Sequence, residues 1–189
     1  MITSPSPVAS NASNPFQSAS KTITVVQGDY AVDRNPQTIL TTLLGSCVSV
    51  CLFDPASGLG GMNHFLLPDN RQSDCDVKYG SFAMEILINE LIKRGAQRSA
   101  LVAKTFGGAR MNTSLQDIGA ANAAFARDFL RKEGITCAAE SVGGVQARRI
   151  QFHPATGAAR QKFVPQNEVG DETALARTSL RQAPEITLF

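Results

Sequence analysis

Apolar side chains recur at helical spacing between residues 81 and 94, in the order Met84, Leu87, Ile88, Leu91 and Ile92. This spacing predicts a helix with one face against the core. Ser81 is the expected N-cap of this helix, and Gly95 is its expected stop. A second helix is predicted from about residue 119 to 133, because Asp117 precedes an amphipathic segment and Gly134 follows it.

Alternating and β-branched apolar positions predict strands in much of the remaining chain. Two of them, residues 47–53 and 59–67, are separated by the turn-forming sequence Asp-Pro-Ala-Ser-Gly. Proline and glycine favour a tight turn at such a position, so the two strands are expected to form a hairpin. An earlier strand is predicted at 21–27 before the Gly28-Asp29 turn, and further strands are predicted near 100–106, 135–142, 145–153 and 160–164.

These elements do not follow a regular strand-helix-strand alternation, which argues against a doubly wound nucleotide-binding fold. They predict a single layered α+β domain, with an early hairpin, over residues 21–165. Residues 1–20 are rich in Ser, Pro, Asn and Ala, which predicts a disordered tail. Residues 166–189 have weak periodicity and are expected to form a weakly structured extension.

Composition narrows the function classes. The chain has 189 residues, 43% hydrophobic and 18% charged, with a net charge of +2. Its basic residues are scattered among acidic ones, so no nucleic-acid partner is expected. No apolar stretch approaches the roughly 18 to 20 residues needed to span a bilayer, so no membrane insertion is expected. Four cysteines without a secretory signal favour a cytoplasmic, reducing location with free thiols.

Cys47 and His64 form the candidate catalytic pair. If Phe53 is paired with Gly58 across a four-residue loop, Cys47 directly faces His64 in the hairpin. Opposed Cβ atoms are about 4.5 to 5.5 Å apart, close enough for a thiol and an imidazole to share a proton. A change of register by one residue would send the two side chains to opposite faces. The pair is therefore a hypothesis that depends on the register.

Two further parts of such a site lie just upstream. Gly45-Ser46 places Cys47 at a bend, where free backbone amides can bind an oxyanion. A third group usually orients the imidazole, and the hydroxyls of Thr41 and Thr42 are both candidates. Spacing alone leaves the choice between the two threonines open.

The other cysteines and the second histidine are interpreted as structural. Cys51, Cys75 and Cys137 fit the packing role of most buried thiols, and His153 fits a strand-end residue. A zinc site that includes Cys47 and Cys51 is not favoured, because four residues of extended strand separate them by about 13 Å. No metal and no organic cofactor are expected.

Residues 41–68 also resemble a known family. Their sequence, TTLLGSCVSVCLFDPASGLGGMNHFLLP, is similar to the signature segment of the chemoreceptor glutamine deamidases, known as CheD. The resemblance continues through Tyr79-Gly80, the block from Lys104 to Met111 that contains Phe-Gly-Gly-Ala, Asn122, and the segment from Gly143 to Gly157. It covers roughly residues 22 to 162, most of the predicted domain.

This resemblance implies specific roles for residues of this chain. It implies that Cys47, His64 and Thr41 are catalytic, and a layered fold similar to that of toxin-type glutamine deamidases. The loop residues Gly45 and Ser46, together with Gly107 and Gly108, are expected to position the oxyanion or the substrate. No cofactor is implied.

The implied reaction is hydrolysis of glutamine side chains to glutamate and ammonia through a γ-glutamyl thioester. Its implied targets are methyl-accepting chemotaxis receptors, in their cytoplasmic helical bundle, and a CheC-type phosphatase is an implied partner. One alternative is a regulatory module that docks on receptors or on such a phosphatase with weak catalysis. Another is a related amidohydrolase or transglutaminase that acts on a different protein, since the same thioester serves all of these reactions.

Overall fold

The computed structural model describes residues 14, 16, 17, 19–67, 74–111 and 117–165. The predicted C-terminal extension, 166–189, lies outside these residues, as does most of the predicted N-terminal tail.

Nine strands in the described part of the chain form two sheets. The first sheet has the order β1 (Lys21–Thr24), β3 (Thr38–Leu44), β8 (Ala147–His153) and β9 (Ala158–Val164). The second has the order β2 (Tyr30–Asp33), β5 (Leu59–Asn63), β4 (Val48–Asp54), β6 (Val102–Gly107) and β7 (Thr136–Val142). The pairs β1 with β3 and β6 with β7 are parallel, and the other pairs are antiparallel.

Two helices, α1 (Asp74–Lys93) and α2 (Ile118–Lys132), pack against the second sheet. Alternation along β4 explains the layering, since successive strand residues face opposite sides of a sheet. Val48, Val50 and Leu52 lie in the core cluster that includes the helices, whereas Cys51 lies in the cluster between the sheets. The predicted layered α+β fold, with helices on one sheet and a second sheet behind it, is therefore confirmed.

The predicted hairpin forms, but its register differs from the expected one. Asp54 pairs with Leu59 and Cys51 with Met62, so the four-residue loop is 55–58. Asp54 accounts for this placement, because its carboxylate accepts hydrogen bonds from the N–H groups of Ala56 at 2.8 Å and Ser57 at 3.4 Å. The expectation that Cys47 directly faces His64 is wrong.

The corrected register nevertheless keeps Cys47 and His64 on the same face of the hairpin. Sliding the loop by one residue changes the pairing by two positions, and strand side chains alternate with a period of two. An isolated bridge between Val48 and Phe65 continues this register beyond β5. Cys47 and His64 thereby become diagonal neighbours, a relationship typically spanning about 7 to 8 Å.

The helix predictions were correct in type, with differences at their boundaries. The first helix begins at Asp74, so Ser81 lies inside it and the predicted cap there is wrong. Four of the five predicted core residues of α1 are buried, whereas Ile92 is 38% exposed. Asp117 does cap α2, because its carboxylate accepts a hydrogen bond from the N–H of Ala120 at 2.9 Å. Neither helix, over its described residues, is long and apolar enough to cross a membrane.

Candidate active site

A cavity of about 430 Å³ contains both members of the predicted pair. Its walls come from the end of β1 and the residues after it, from β3, from the loop before β4, and from His64. Val25, Val26, Leu43 and Met111 give the cavity a largely apolar lining, into which Cys47 and His64 introduce a thiol and an imidazole. A mainly apolar pocket with a few polar groups is typical of a ligand or substrate site.

The loop that carries the Cys47 thiol is held by its three carbonyl groups. The Gly45 carbonyl accepts from the N–H of Ala109 at 2.8 Å, and the Cys47 carbonyl accepts from the N–H of Gly108 at 2.7 Å. Between them, the Ser46 carbonyl accepts from the buried side-chain amide of Asn122 at 3.2 Å. These bonds fix the backbone on both sides of the thiol.

The same bonds determine where the N–H groups of the loop point. The described peptide bonds are all trans, and in a trans peptide the C=O of one residue points opposite to the N–H of the next. Because the carbonyls of Gly45 and Ser46 point toward Ala109 and Asn122, the N–H groups of Ser46 and Cys47 point the other way. Among the described residues, no backbone carbonyl accepts a hydrogen bond from the N–H of Ser46 or of Cys47. Both are thus available to a ligand.

The hydrogen bonds around His64 define its tautomer. The Thr42 hydroxyl donates its one proton to the Val25 carbonyl at 2.7 Å. The same hydroxyl oxygen lies 2.8 Å from Nδ1 of His64, so it must accept there, and Nδ1 must carry the proton. The Val25 carbonyl, 3.3 Å from Nδ1, is also only an acceptor and requires the same assignment.

The consequence for His64 is a free base at its other nitrogen. With Nδ1 protonated, the neutral ring has its lone pair on Nε2. Nε2 is buried and has no hydrogen-bond partner among the described residues. An imidazole held in this tautomer can accept a proton at Nε2 while Thr42 keeps the ring oriented.

Thr41 occupies a different position from the one that an orienting role requires. It lines the cavity, but its hydroxyl donates to the Ile150 carbonyl at 2.7 Å. The proton of the Thr41 hydroxyl is thus used by a backbone carbonyl, and the hydroxyl that lies within hydrogen-bond distance of the imidazole is that of Thr42. In this structure Thr42 makes that contact, and a catalytic role for Thr41 stays a prediction.

Burial controls the protonation of both reactive groups. Burial raises the pKa of the Cys47 thiol to about 11, although the N–H of Cys47 itself opposes the change. Burial also lowers the pKa of His64 from 6.5 to about 4, against the opposing effects of the Val25 carbonyl and Asp29. At neutral pH the resting pair is therefore a neutral thiol and a neutral imidazole.

The two predicted glycines of β6 and its end contact the nucleophile loop. A Cβ added at Gly107, whose φ is +110°, would lie 2.2 Å from the Cys47 carbonyl oxygen. The N–H of Gly108 is already used by that same carbonyl. Gly108 therefore does not offer its N–H to an oxyanion. The absence of a side chain at Gly107 permits the close approach to Cys47, whereas a Cβ at Gly108 would meet the Gly119 carbonyl of α2.

Cys51, Cys137 and His153 lie apart from the cavity lining. Cys51 is buried between the sheets, as its predicted packing role requires, whereas Cys137 is exposed and the same prediction for it is wrong. His153 bridges the Pro36 carbonyl at 2.9 Å and the Thr156 hydroxyl at 2.9 Å, which agrees with its structural interpretation. The side chain of Cys75 lies outside the described residues.

Sequence reasoning missed Gln27 and Arg149, which both line the cavity. Gln27 follows β1, and its carboxamide oxygen accepts a hydrogen bond from the Cys47 thiol at 3.3 Å. Arg149 comes from β8, which lies beside β3. No local sequence signal pointed to either residue, because their positions depend on pairing between distant strands.

The fold and the cavity together define a class of site, a buried thiol and a tautomerically defined imidazole in one pocket of a layered α+β domain. Residues 66–163 match the model of the CheD family, described as CheD chemotactic sensory transduction. Curated relatives support the match, and the chain belongs to the CheD family.

Three of these relatives are named as probable chemoreceptor glutamine deamidases. The protein from Caulobacter vibrioides is 54% identical over 143 residues, which cover 74% of this chain and 76% of that protein. The protein from a Ruegeria species is 49% identical over 187 residues, which cover 94% and 100%. The protein from Cereibacter sphaeroides is 51% identical over 146 residues, which cover 77% and 73%.

Two solved structures show a more distant likeness. The hypothetical protein YfiH of Bacillus licheniformis is 16% identical with a TM-score of 0.42, over 66% of this chain and 60% of that chain. Neisseria meningitidis protein NMB0706 is 14% identical with a TM-score of 0.42, over 66% of this chain and 62% of that chain. The chain thus spans less than two thirds of either protein.

Proposed function

We propose that this protein hydrolyses glutamine side chains of chemotaxis receptors to glutamate, with Cys47 as the nucleophile and His64 as the general base and acid. The observation that carries the proposal is Nε2 of His64, which has no partner within the described part of the chain and lies in the cavity that also holds the Cys47 thiol. The names of the CheD relatives supply the receptor glutamine as the substrate.

The first half of the reaction forms a thioester. As a substrate carboxamide enters, the Cys47 thiol passes its proton to Nε2 of His64 while sulfur bonds to the carboxamide carbon. Because burial disfavours both the thiolate and the imidazolium, proton transfer and attack belong to one step. The electron pair displaced onto oxygen is stabilised by the N–H groups of Ser46 and Cys47. His64 then protonates the nitrogen, and ammonia leaves as the C–N bond breaks.

The second half restores the enzyme. Water attacks the γ-glutamyl thioester and gives its proton to the free Nε2 of His64. The C–S bond breaks, the sulfur recovers the proton, and glutamate is released. Each cycle consumes one water and produces one ammonia, with no net change in the enzyme.

Thr42 has a positioning role in this scheme. During each proton transfer His64 becomes an imidazolium, and the Thr42 oxygen continues to accept from Nδ1. Support for Thr41 as a catalytic group comes from the family resemblance and from its place in the cavity lining.

The location and the second partner belong to the same proposal. The protein acts in the cytoplasm on the helical bundle of the receptor, and a CheC-type phosphatase docks on it. The family resemblance implies both statements, and the matched family is described as acting in chemotactic sensory transduction. Co-purification of the phosphatase with the full chain tests the partnership. Receptor signalling that is fully restored by Cys47→Ala would favour the alternative, a docking module with weak catalysis.

Interception of the thioester tests the chemistry. A purified receptor fragment is incubated with the full chain in the presence of hydroxylamine, and its glutamine positions are examined by mass spectrometry. A thioester partitions between water and hydroxylamine, so glutamate and γ-glutamyl hydroxamate are expected at the same positions. Glutamate without any hydroxamate would argue against an acyl-enzyme. Cys137→Ala, at an exposed thiol outside the cavity lining, serves as the matched control.

A further inference from the structure

The Cys47 thiol already has a carboxamide beside it. Gln27 accepts a hydrogen bond from Sγ through Oε1 at 3.3 Å, and both residues line the cavity. A glutamine side chain ends in the same functional group as the substrate that the proposed function assigns to this site. The contact therefore places a substrate-like group against the nucleophile.

We propose that Gln27 occupies the carboxamide subsite in the resting protein and that a substrate glutamine must displace it before Cys47 can react. This inference rests on the proposed function, since it identifies the resident group as a mimic of the substrate. It makes Gln27 a determinant of substrate affinity within the chain itself.

The contact geometry makes Gln27 an occupant and not a substrate. The thiol meets the oxygen of the carboxamide, whereas attack requires sulfur to approach the carbon while the oxygen lies on N–H donors. An acceptor placed against S–H also favours the protonated thiol over the thiolate. Gln27 thus keeps the thiol in its unreactive form and is not itself converted.

The surroundings of Gln27 allow displacement without unfolding. Its neighbours are anchored, because the Val25 N–H donates to the Thr41 carbonyl at 2.8 Å and the Gly28 N–H donates to the His64 carbonyl at 2.8 Å. Gln27 itself is exposed, so its side chain can rotate into solvent. The loss of one neutral hydrogen bond corresponds to a change of about threefold to tenfold in the competing equilibrium.

Alkylation of the thiol tests this inference independently of any receptor. The full chain, Gln27→Ala and Gln27→Glu are treated with iodoacetamide at neutral pH, and the rate at Cys47 is measured by mass spectrometry relative to the exposed Cys137 in the same molecule. We expect Gln27→Ala to react about threefold to tenfold faster, because the acceptor and the obstruction are both removed. Gln27→Glu should react more slowly than the chain without substitutions, because a carboxylate beside the thiol opposes thiolate formation.

Each outcome of the alkylation assay decides the matter. An unchanged or slower rate in Gln27→Ala, with the same melting temperature, would overturn the inference, since the amide would then be neutral toward the thiolate or would stabilise it. The mass of the segment containing Gln27 gives a second criterion. We expect residue 27 to remain glutamine in the active protein, and its conversion to glutamate would make it a substrate.

Kinetics on a receptor fragment complete the test. Gln27→Ala should lower KM by about the same factor and leave kcat at least unchanged, as expected when an internal competitor is removed. Suppose that the chain without substitutions shows no deamidation, but Gln27→Ala is alkylated faster and Gln27→Glu more slowly than that chain. The proposed function then fails, while the contact between Gln27 and Cys47 stands. Deamidation with an unchanged KM in Gln27→Ala would overturn the inference and leave the proposed function intact.

Discussion

Thr42 fixes the tautomer of His64. Its hydroxyl donates to the Val25 carbonyl at 2.7 Å and therefore accepts from Nδ1 of His64 at 2.8 Å. Because the threonine proton is used by a backbone carbonyl, Nδ1 of the buried imidazole must carry the ring proton. Nε2 is then the unprotonated nitrogen and can act as a base. The two threonines of β3 consequently have different partners, since the Thr41 hydroxyl donates to the Ile150 carbonyl.

Removal of the Thr42 hydroxyl is expected to reduce turnover. Thr42→Val preserves the shape of the side chain but leaves Nδ1–H without its closest acceptor, which costs about 1 to 3 kcal/mol. We expect kcat to fall about tenfold to hundredfold with KM little changed. The pH profile of kcat should also shift, because the His64 ring is no longer held with its proton on Nδ1. Steady-state kinetics on a receptor fragment measure both parameters.

Two companion variants separate positioning from folding. Thr42→Ser keeps the hydroxyl and should retain kcat within about threefold of the unmodified chain. Thr41→Val tests the role that the family resemblance assigns to Thr41. A loss of kcat in Thr41→Val that exceeds the loss in Thr42→Val would identify Thr41 as the functional group and contradict the hydrogen-bond assignment.

The stability of the fold should depend on His64 in mildly acidic solution. Its pKa falls from 6.5 in the unfolded chain to about 4 in the fold because of burial. Below pH 6.5 the unfolded chain takes up a proton that the fold does not, so the free energy of unfolding decreases as the pH falls toward 4. The upper limit of this loss is roughly 3 kcal/mol. Urea unfolding at a series of pH values measures it.

His64→Gln provides the control for this pH dependence. Glutamine does not titrate, so the variant should lose the part of the slope between pH 6.5 and 4 that His64 contributes. An identical slope in both proteins would show that His64 titrates equally in the folded and unfolded chains, and it would remove the evidence for a buried neutral imidazole.

Gly107 should be required for the position of the nucleophile. A methyl group there would meet the Cys47 carbonyl oxygen at 2.2 Å, and the φ of +110° disfavours any other residue. We expect Gly107→Ala to lower both the melting temperature and kcat. Gly134→Ala is a matched control, because Gly134 has a φ of +67° but nothing within 4 Å of an added Cβ.

The glycine comparison isolates the contact with Cys47. A left-handed conformation costs a residue other than glycine about 1 to 2 kcal/mol, so Gly134→Ala should be less stable but fully active. Equal kcat values for the two variants would show that the approach of Gly107 to Cys47 has no part in catalysis.

Sequence patterns predicted the site more accurately than the register. Cys47 and His64 were predicted to lie on one face of the hairpin because the alternation of side chains along a strand is local. They remain on one face in the observed register, because the shift changes the pairing by two residues. The shift of the loop came from the Asp54 carboxylate, which accepts hydrogen bonds from the N–H groups two and three residues further along the chain, a side-chain contact that turn statistics did not resolve. The prediction that the two side chains share a face was therefore correct, and the prediction that they are directly paired was wrong.

Contacts between distant segments were beyond the reach of local patterns. The choice of Thr42 over Thr41 depends on where Val25 lies, and that follows from the parallel pairing of β1 with β3. Gln27 reaches Cys47 for the same reason. Neither the pairing of the strands nor the order of the two sheets follows from the periodicity of any single segment.

The most direct test of the account is the conversion of receptor glutamines resolved by position. A purified receptor fragment is incubated with the full chain, with Cys47→Ala or with Cys137→Ala, and each glutamine is examined by mass spectrometry. We expect defined glutamines to become glutamate, a gain of about one dalton each, with the full chain and with Cys137→Ala, and none with Cys47→Ala. Conversion of the same glutamines by Cys47→Ala would contradict the central claim that the Cys47 thiol is the nucleophile.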